Sequence, residues 1–203
     1  MSGPFIAVVD YGIGNLRSAE KGLCQAGADA RLVRCSRDIS GADGVVLPGV
    51  GNFGCCSQAL SESGLWDATV EAAGSGKPFM GICVGMQLLY ERSDESPGVP
   101  GLSVFEGTVS LLPESVRRPQ MQWNRLDVAP GSQLLKGFEQ NAWVYFVHSY
   151  SAPISPETAA TCDYGGPVAA AVEMGPVWAT QFHPEKSSRV GLGVLANFVA
   201  ACN

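Results

Sequence analysis

The sequence predicts an α/β fold in which a mostly parallel sheet is covered by helices on both faces and extended by antiparallel strands. Three observations carry this reading. Short apolar runs at 5–9, 44–47 and 78–82 show no polar alternation, as expected of strands buried on both faces. Each is followed by turn residues and then by a helical pattern, the strand, turn, helix rhythm of parallel sheets. Beyond residue 84 the pattern turns to strand-rich segments separated by Pro and Gly turns.

The first strand, 5–9, ends at Asp10, and Gly12, Gly14 and Asn15 supply the turn before a helix over 16–26 that Gly27 closes. A second strand is read at 31–34 and a third at 44–47. Helical patterns at 55–65 and 66–73 lead to a fourth strand at 78–82, and another helix begins near Val84. Later strands are read at 103–112, 121–128, 143–150, 168–173 and 177–182, with turns at Ala129-Pro130-Gly131 and Tyr164-Gly165-Gly166-Pro167. A helix over 190–201 completes the pattern. No repeat or linker interrupts it, so one domain over 1–203 is expected.

With 203 residues, 46% apolar and 16% charged, the chain can bury a substantial core and lies outside the composition of disordered segments. Thirteen basic against 19 acidic residues give a net charge of −6 without any Lys/Arg run. Neither nucleic acid nor an anionic membrane is therefore an expected partner. No basic leader precedes the first apolar run, and no run approaches the roughly 18 residues that span a bilayer, so a cytoplasmic protein is expected. The seven cysteines, an odd count without C-x-x-C spacing, read as thiols. There are two histidines, His148 and His183, so an imidazole base has few candidates.

Chemistry concentrates at Gly81-Ile82-Cys83-Val84-Gly85, where a buried strand meets a helix. A Cys flanked by glycines at i−2 and i+2 is the thiol form of a nucleophile elbow, in which small neighbours let the backbone turn tightly. The helix start stabilises a thiolate, and the Val84 N–H points to where an oxyanion would form. A thiol nucleophile needs an oriented base. In Phe182-His183-Pro184-Glu185, read as extended, His183 and Glu185 share a face, so the imidazole can meet Cys83 while the carboxylate fixes its tautomer. His148 has no acid at i+2 and reads as structural. Gly49-Val50-Gly51-Asn52-Phe53-Gly54 matches a dinucleotide fingerprint, but the next strand ends in Cys83 and not in the acid such a site requires. That loop can instead offer a second N–H to the oxyanion. Cys55, Cys56, Cys83 and His183 match no zinc spacing, so no metal and no cofactor are expected.

The elbow, together with Phe182-His183-Pro184-Glu185-Lys186-Ser187, resembles the class I glutamine amidotransferases, the triad glutaminases. Within that family, Asp10-Tyr11-Gly12-Ile13-Gly14-Asn15-Leu16, Leu47-Pro48-Gly49-Val50-Gly51, Trp123-Asn124 and Tyr145-Phe146-Val147-His148-Ser149-Tyr150 resemble the glutaminase subunits of imidazole glycerol phosphate synthases. The resemblance implies a three-layer, flavodoxin-like sheet. It implies Cys83 as nucleophile on L-glutamine, His183 as base and Glu185 as orienter. The oxyanion would be held by Val84 N–H and, after a peptide rearrangement, by an amide of Val50 or Gly51. Gly49, Gln87, Glu95, Ser149 and Tyr150 match substrate-binding positions. The resemblance also implies a heterodimer with a separate (β/α)8-barrel cyclase that receives the ammonia, with Asn15, Trp123, Asn124 and Lys186 near the interface. The products there would be imidazole glycerol phosphate and an aminoimidazole carboxamide ribotide, in histidine biosynthesis.

The family's usual P-H-M-G-W-N reads Pro119-Gln120-Met121-Gln122-Trp123-Asn124 here, beside the partner-facing Trp123. Three other readings stand beside the leading one. They are a paralogous glutaminase subunit feeding another ammonia-using synthase, a cysteine hydrolase of another class, and a non-enzymatic binding subunit.

Overall fold

In a computed structural model that describes residues 3–138 and 142–203, the chain runs in this order. First come β1 (Phe5–Val9), α1 (Leu16–Gln25), β2 (Asp29–Val33), α2 (Ser36–Ser40), β3 (Gly44–Gly49), α3 (Phe53–Glu62) and α4 (Trp66–Gly74). Then come β4 (Phe79–Cys83), α5 (Val84–Leu88), β5 (Tyr90–Ser93), β6 (Phe105–Leu111), β7 (Gln120–Arg125), β8 (Asp127–Val128) and β9 (Trp143–His148). The last part is β10 (Tyr150–Ser151), β11 (Thr158–Asp163), β12 (Pro167–Met174), β13 (Val177–Thr180), a 3-10 turn (Pro184–Lys186) and α6 (Ser188–Ala201).

The main sheet has the order β2-β1-β3-β4-β13-β12-β11-β8. Its first five strands are parallel, and β12, β11 and β8 extend it antiparallel. The predicted class therefore holds. The chain steps from β1 outward to β2 and then back across β1 to β3. Right-handed crossovers put α1 on one face and the helices after β2 and β3 on the other. Accordingly α6 packs with α1, while α2 packs with α4 and α3 with α5. Every residue of β3 and β4 is buried, which is why their sequences carry no alternation.

The departures from the sequence reading lie mostly in the second half. The segment read as one strand at 121–128 divides at Leu126, because β7 pairs with β9 whereas β8 joins the main sheet beside β11. The run 143–150 divides at Ser149 for the same reason, β10 pairing with β6. The strand read at 177–182 ends at Thr180. The helix begun at Val84 lasts five residues before β5. The helix read at 55–65 begins at Phe53, capped by the Asn52 side chain accepting from Cys55 N–H. Strand β11 and helix α2 had no counterpart in the reading. Among the described residues no helix is long and apolar enough to cross a membrane.

Candidate active site

The carboxyl ends of β3, β4 and β13 lie side by side, the usual place for a site in an open parallel sheet. Cys83 ends β4 with φ 57° and ψ −112°, a left-handed conformation unusual for a residue with a side chain. Its flanking glycines permit the turn by close approach. A Cβ on Gly85 would lie 1.9 Å from the Leu47 carbonyl oxygen, and one on Gly81 would lie 2.8 Å from that of Gly85. The elbow is thus pressed against β3, and Cys83 opens α5 as anticipated.

His183 follows β13. Its Nδ1 lies 2.7 Å from Glu185 Oε1, and both side chains are buried. That contact leaves Nε2 for Cys83, with which the ring is also hydrogen-bonded. Glu185 is not on an extended strand, as the sequence reading had it. It lies in the 3-10 turn that Pro184 opens, and the turn brings the carboxylate back to the ring. The turn is fastened to β9: His183 N–H donates to the Tyr145 carbonyl, and Ser187 Oγ donates to the His183 carbonyl while accepting from Tyr145 N–H. Burial opposes a charge on His183, but hydrogen bonds to Cys83 and Glu185 and the negative charge on both outweigh it, and its pKa is pushed up to about 10. Asn15 Nδ2 donates to the same Glu185 oxygen at 3.2 Å. Glu185 Oε2 is buried, with no hydrogen-bond partner among the described residues.

The loop after β3 is anchored on both sides. Tyr11 Oη donates to the Pro48 carbonyl at 2.7 Å, and the Cys56 thiol donates to the Val50 carbonyl at 3.3 Å. Burial raises the pKa of Tyr11 well above its ordinary value and that of Cys56 to about 11, so both remain donors.

A cavity of about 410 Å³ opens over Cys83. Val50, Gly51, Val84, Gln87, Glu95, Ser149, Tyr150, His183, Asn15 and Lys186 all line it, as do Pro119, Val147 and His148. Gly49 and Glu185 do not line it. Glu95 is partly committed, since its Oε2 accepts from Phe53 N–H at 2.6 Å at the start of α3. His148 is buried and its pKa is drawn down to about 4, chiefly by that burial. No group of three or more metal-ligating side chains occurs among the described residues.

The sequence pattern of the glutamine amidotransferase class-I family matches residues 7–202. The chain belongs to that family. Among curated relatives of this class I glutamine amidotransferase, the imidazole glycerol phosphate synthase subunit HisH of Deinococcus radiodurans is 44% identical, covering 96% of this chain and 93% of that protein. The subunit of the same name from Methanothermobacter thermautotrophicus is 46% identical, covering 96% and 97%. A crystal structure titled glutamine amidotransferase superposes with a TM-score of 0.76 over 97% of this chain and 98% of that one, at 21% identity, and so speaks for the fold.

Two of the four residues expected at a partner interface stand apart from the cavity of this amidotransferase. Trp123 is exposed on β7, its ring 6.2 Å from that of Tyr145 on β9. Asn124 is occupied locally, its Nδ2 donating to the Asp163 carbonyl at 2.9 Å. The sequence reading missed Gln181, Tyr11, Cys56 and Ser187, and it singled out Gln120 as a departure from the family's motif without giving it a role. Gln181 had a signal: it is two residues before His183, on the spacing that singled out Glu185.

Proposed function

We propose that this chain is the glutaminase subunit of an imidazole glycerol phosphate synthase, and that its single domain hydrolyses L-glutamine with Cys83, His183 and Glu185. The observation that carries the reading is the meeting of a strained Cys83 elbow with a buried His183–Glu185 pair at one cavity. Cys83 Sγ gives its proton to His183 Nε2 and attacks the carboxamide carbon. The oxyanion is held by Val84 N–H and by Val50 or Gly51 N–H. The tetrahedral adduct collapses, His183 returns the proton to the amide nitrogen, and ammonia leaves a glutamyl thioester. Water then attacks the thioester, giving its proton to His183, and glutamate departs.

The raised pKa of His183 serves both halves of this cycle. Part of it comes from the charge on Cys83, and acylation removes that charge. With that charge gone, the ring that has protonated the leaving nitrogen stays a neutral imidazole in the thioester, its Nε2 available as the base toward water. Glu185 holds Nδ1–H throughout. Gly49, Gln87, Glu95, Ser149 and Tyr150 shape the glutamine subsite; Glu95, with Oε1 still to spare, suits the α-ammonium group.

Ammonia passes to a separate (β/α)8 cyclase subunit. An apolar strip on the β7–β9 ribbon supports a docked partner: Met121, Trp123 and Trp143 are 62%, 46% and 50% exposed, far more than the neighbouring core allows. Asn15 and Lys186, at the cavity, and Asn124 complete the proposed interface. The test is glutamine turnover by the chain with and without a cyclase subunit and its ligand. Slow turnover alone and strong stimulation are expected; full-rate turnover indifferent to every cyclase would refute the subunit reading.

A further inference from the structure

Behind Cys83 a buried amide, Gln181, to which the mechanism above gives no role, is linked to Gln87 of the glutamine subsite. Gln181, fully buried, presents Nε2 to Cys83 Sγ at 3.8 Å. Its Oε1 accepts from Gln87 Nε2 at 2.9 Å, and the same nitrogen of Gln87 donates to the Tyr150 carbonyl at 2.9 Å. These directions are dictated by one backbone group. A carbonyl oxygen can only accept, so Gln87 must turn its nitrogen to Tyr150. The second N–H of that nitrogen then requires an oxygen from Gln181, and the Gln181 nitrogen is left facing the sulfur. The other lone pair of the Tyr150 carbonyl is taken by His148 Nδ1 at 2.8 Å. His148 must therefore donate there. In its neutral ring Nε2 accepts, so the Gln120 carboxamide, whose Oε1 lies 2.9 Å away, must turn over to offer its nitrogen to the ring. Gln120 is on β7, three residues from Trp123.

We propose that Gln181 is a positioning residue for the nucleophile: its carboxamide donates to the Cys83 sulfur and favours the thiolate, held in that orientation by Gln87 and the Tyr150 carbonyl, which His148 and Gln120 saturate from the partner-facing ribbon. The inference rests on Cys83 being the nucleophile. An N–H···S contact is weak toward a thiol and gains strength when the sulfur carries charge. The step it assists is the transfer of the Cys83 proton to His183 Nε2. Besides His183 and its partner Glu185, the titratable groups around Cys83 are Tyr11 and Cys56, both kept neutral by burial, and Glu95, His148, Tyr150 and Lys186 on the cavity wall. They stay constant across variants at Gln181.

Alkylation of Cys83 by iodoacetamide, followed against pH in the full chain at the Cys83 peptide, reads the thiolate. Gln181→Met keeps length and apolar burial but removes the donor. Its alkylation midpoint is expected about one pH unit higher, roughly tenfold less thiolate at neutral pH. With a cyclase subunit present, kcat should fall by a similar factor and KM should change less. Gln181→Glu keeps an acceptor for Gln87 but sets a carboxyl oxygen against the sulfur, so its midpoint should rise further. A merely structural role would spare Glu more than Met and leave both midpoints in place. Folded variants that both titrate as wild type would overturn the proposal. If neither folds, the Gln181 Nε2 resonance of wild-type protein decides: it should shift as Cys83 ionises, and an unmoved resonance overturns the proposal equally. Cys83→Ala separates the two readings. Retained glutaminase activity would remove the nucleophile itself, whereas its loss beside unaffected Gln181 variants would remove this inference alone.

Discussion

Glu185 offers one oxygen to both His183 and Asn15, and its second is buried without a partner among the described residues, so His183 is the one ionisable group hydrogen-bonded to it there. Glu185→Gln preserves the shape of the site and removes that charge. Steady-state assay of the partnered enzyme should show kcat lowered on the order of 10²-fold with KM little changed, the scale of a disabled acid-base group. The two histidines also pull stability in opposite directions with pH. Between the unfolded value near 6.5 and about 10, the folded chain keeps a proton on His183 that the unfolded chain has released. That contribution is full below about pH 6.5 and fades as pH rises toward 10. His148 does the reverse: its contribution is full above about pH 6.5 and is lost as pH falls through 4. Urea denaturation across pH should therefore show their joint contribution greatest near 6.5. His148→Gln should flatten the acid side and leave the alkaline side unchanged.

At the level of elements, the elbow depends on helix α5 lying directly on strand β3. Gly85→Ala would drive a methyl group into the Leu47 carbonyl, 1.9 Å away, and strand and helix would have to separate. A loss of about 3 kcal/mol in denaturant stability is expected, with glutaminase activity abolished. Gly74→Ala, at the end of α4 with open space around its Cβ position, should instead gain about 0.5 kcal/mol. The same contrast explains what was legible in the sequence. Strands β1, β3 and β4 are buried on both faces by local composition, and each delivers its loop to the site, so Asn15, the Gly49-Val50-Gly51 loop and Cys83 could be read in place. Strand β11, Thr158–Asp163, mixes Ala, Thr and Cys without a period and is a strand because β12 and β8 pair with it. The breaks at Leu126 and Ser149 likewise reflect a change of pairing partner, which no local pattern encodes. Gln181 differs: its place two residues before His183 was a signal, but what its carboxamide faces shows only when Gln87, distant in sequence, is seen against it.

Across the whole molecule, the proposed docking ribbon and the proposed triad are joined through the backbone of β9. Trp123 contacts the Tyr145 ring, and the Tyr145 peptide groups bind His183 N–H and Ser187 Oγ. On the proposed reading, a cyclase docked on the ribbon bears on the strand that holds His183. An exposed tryptophan at the centre of an apolar strip has the character of an interface anchor. Trp123→Ala should weaken association with the cyclase by about 2 kcal/mol, close to thirtyfold in Kd by titration calorimetry. Ile154→Ala removes an equally exposed apolar side chain beside a different cleft, lined by Leu111, Leu112 and Tyr164, and should leave Kd unchanged. Iodoacetamide labelling of Cys83 in the free chain should be the same in both variants, because neither residue touches the triad. If Trp123→Ala bound normally, the ribbon would not be the docking face, and the apolar strip around Trp143 and Met121 would need another occupant. If it bound weakly but was fully stimulated at saturating cyclase, Trp123 would serve attachment alone, and the force on His183 would have to enter through another contact with β9.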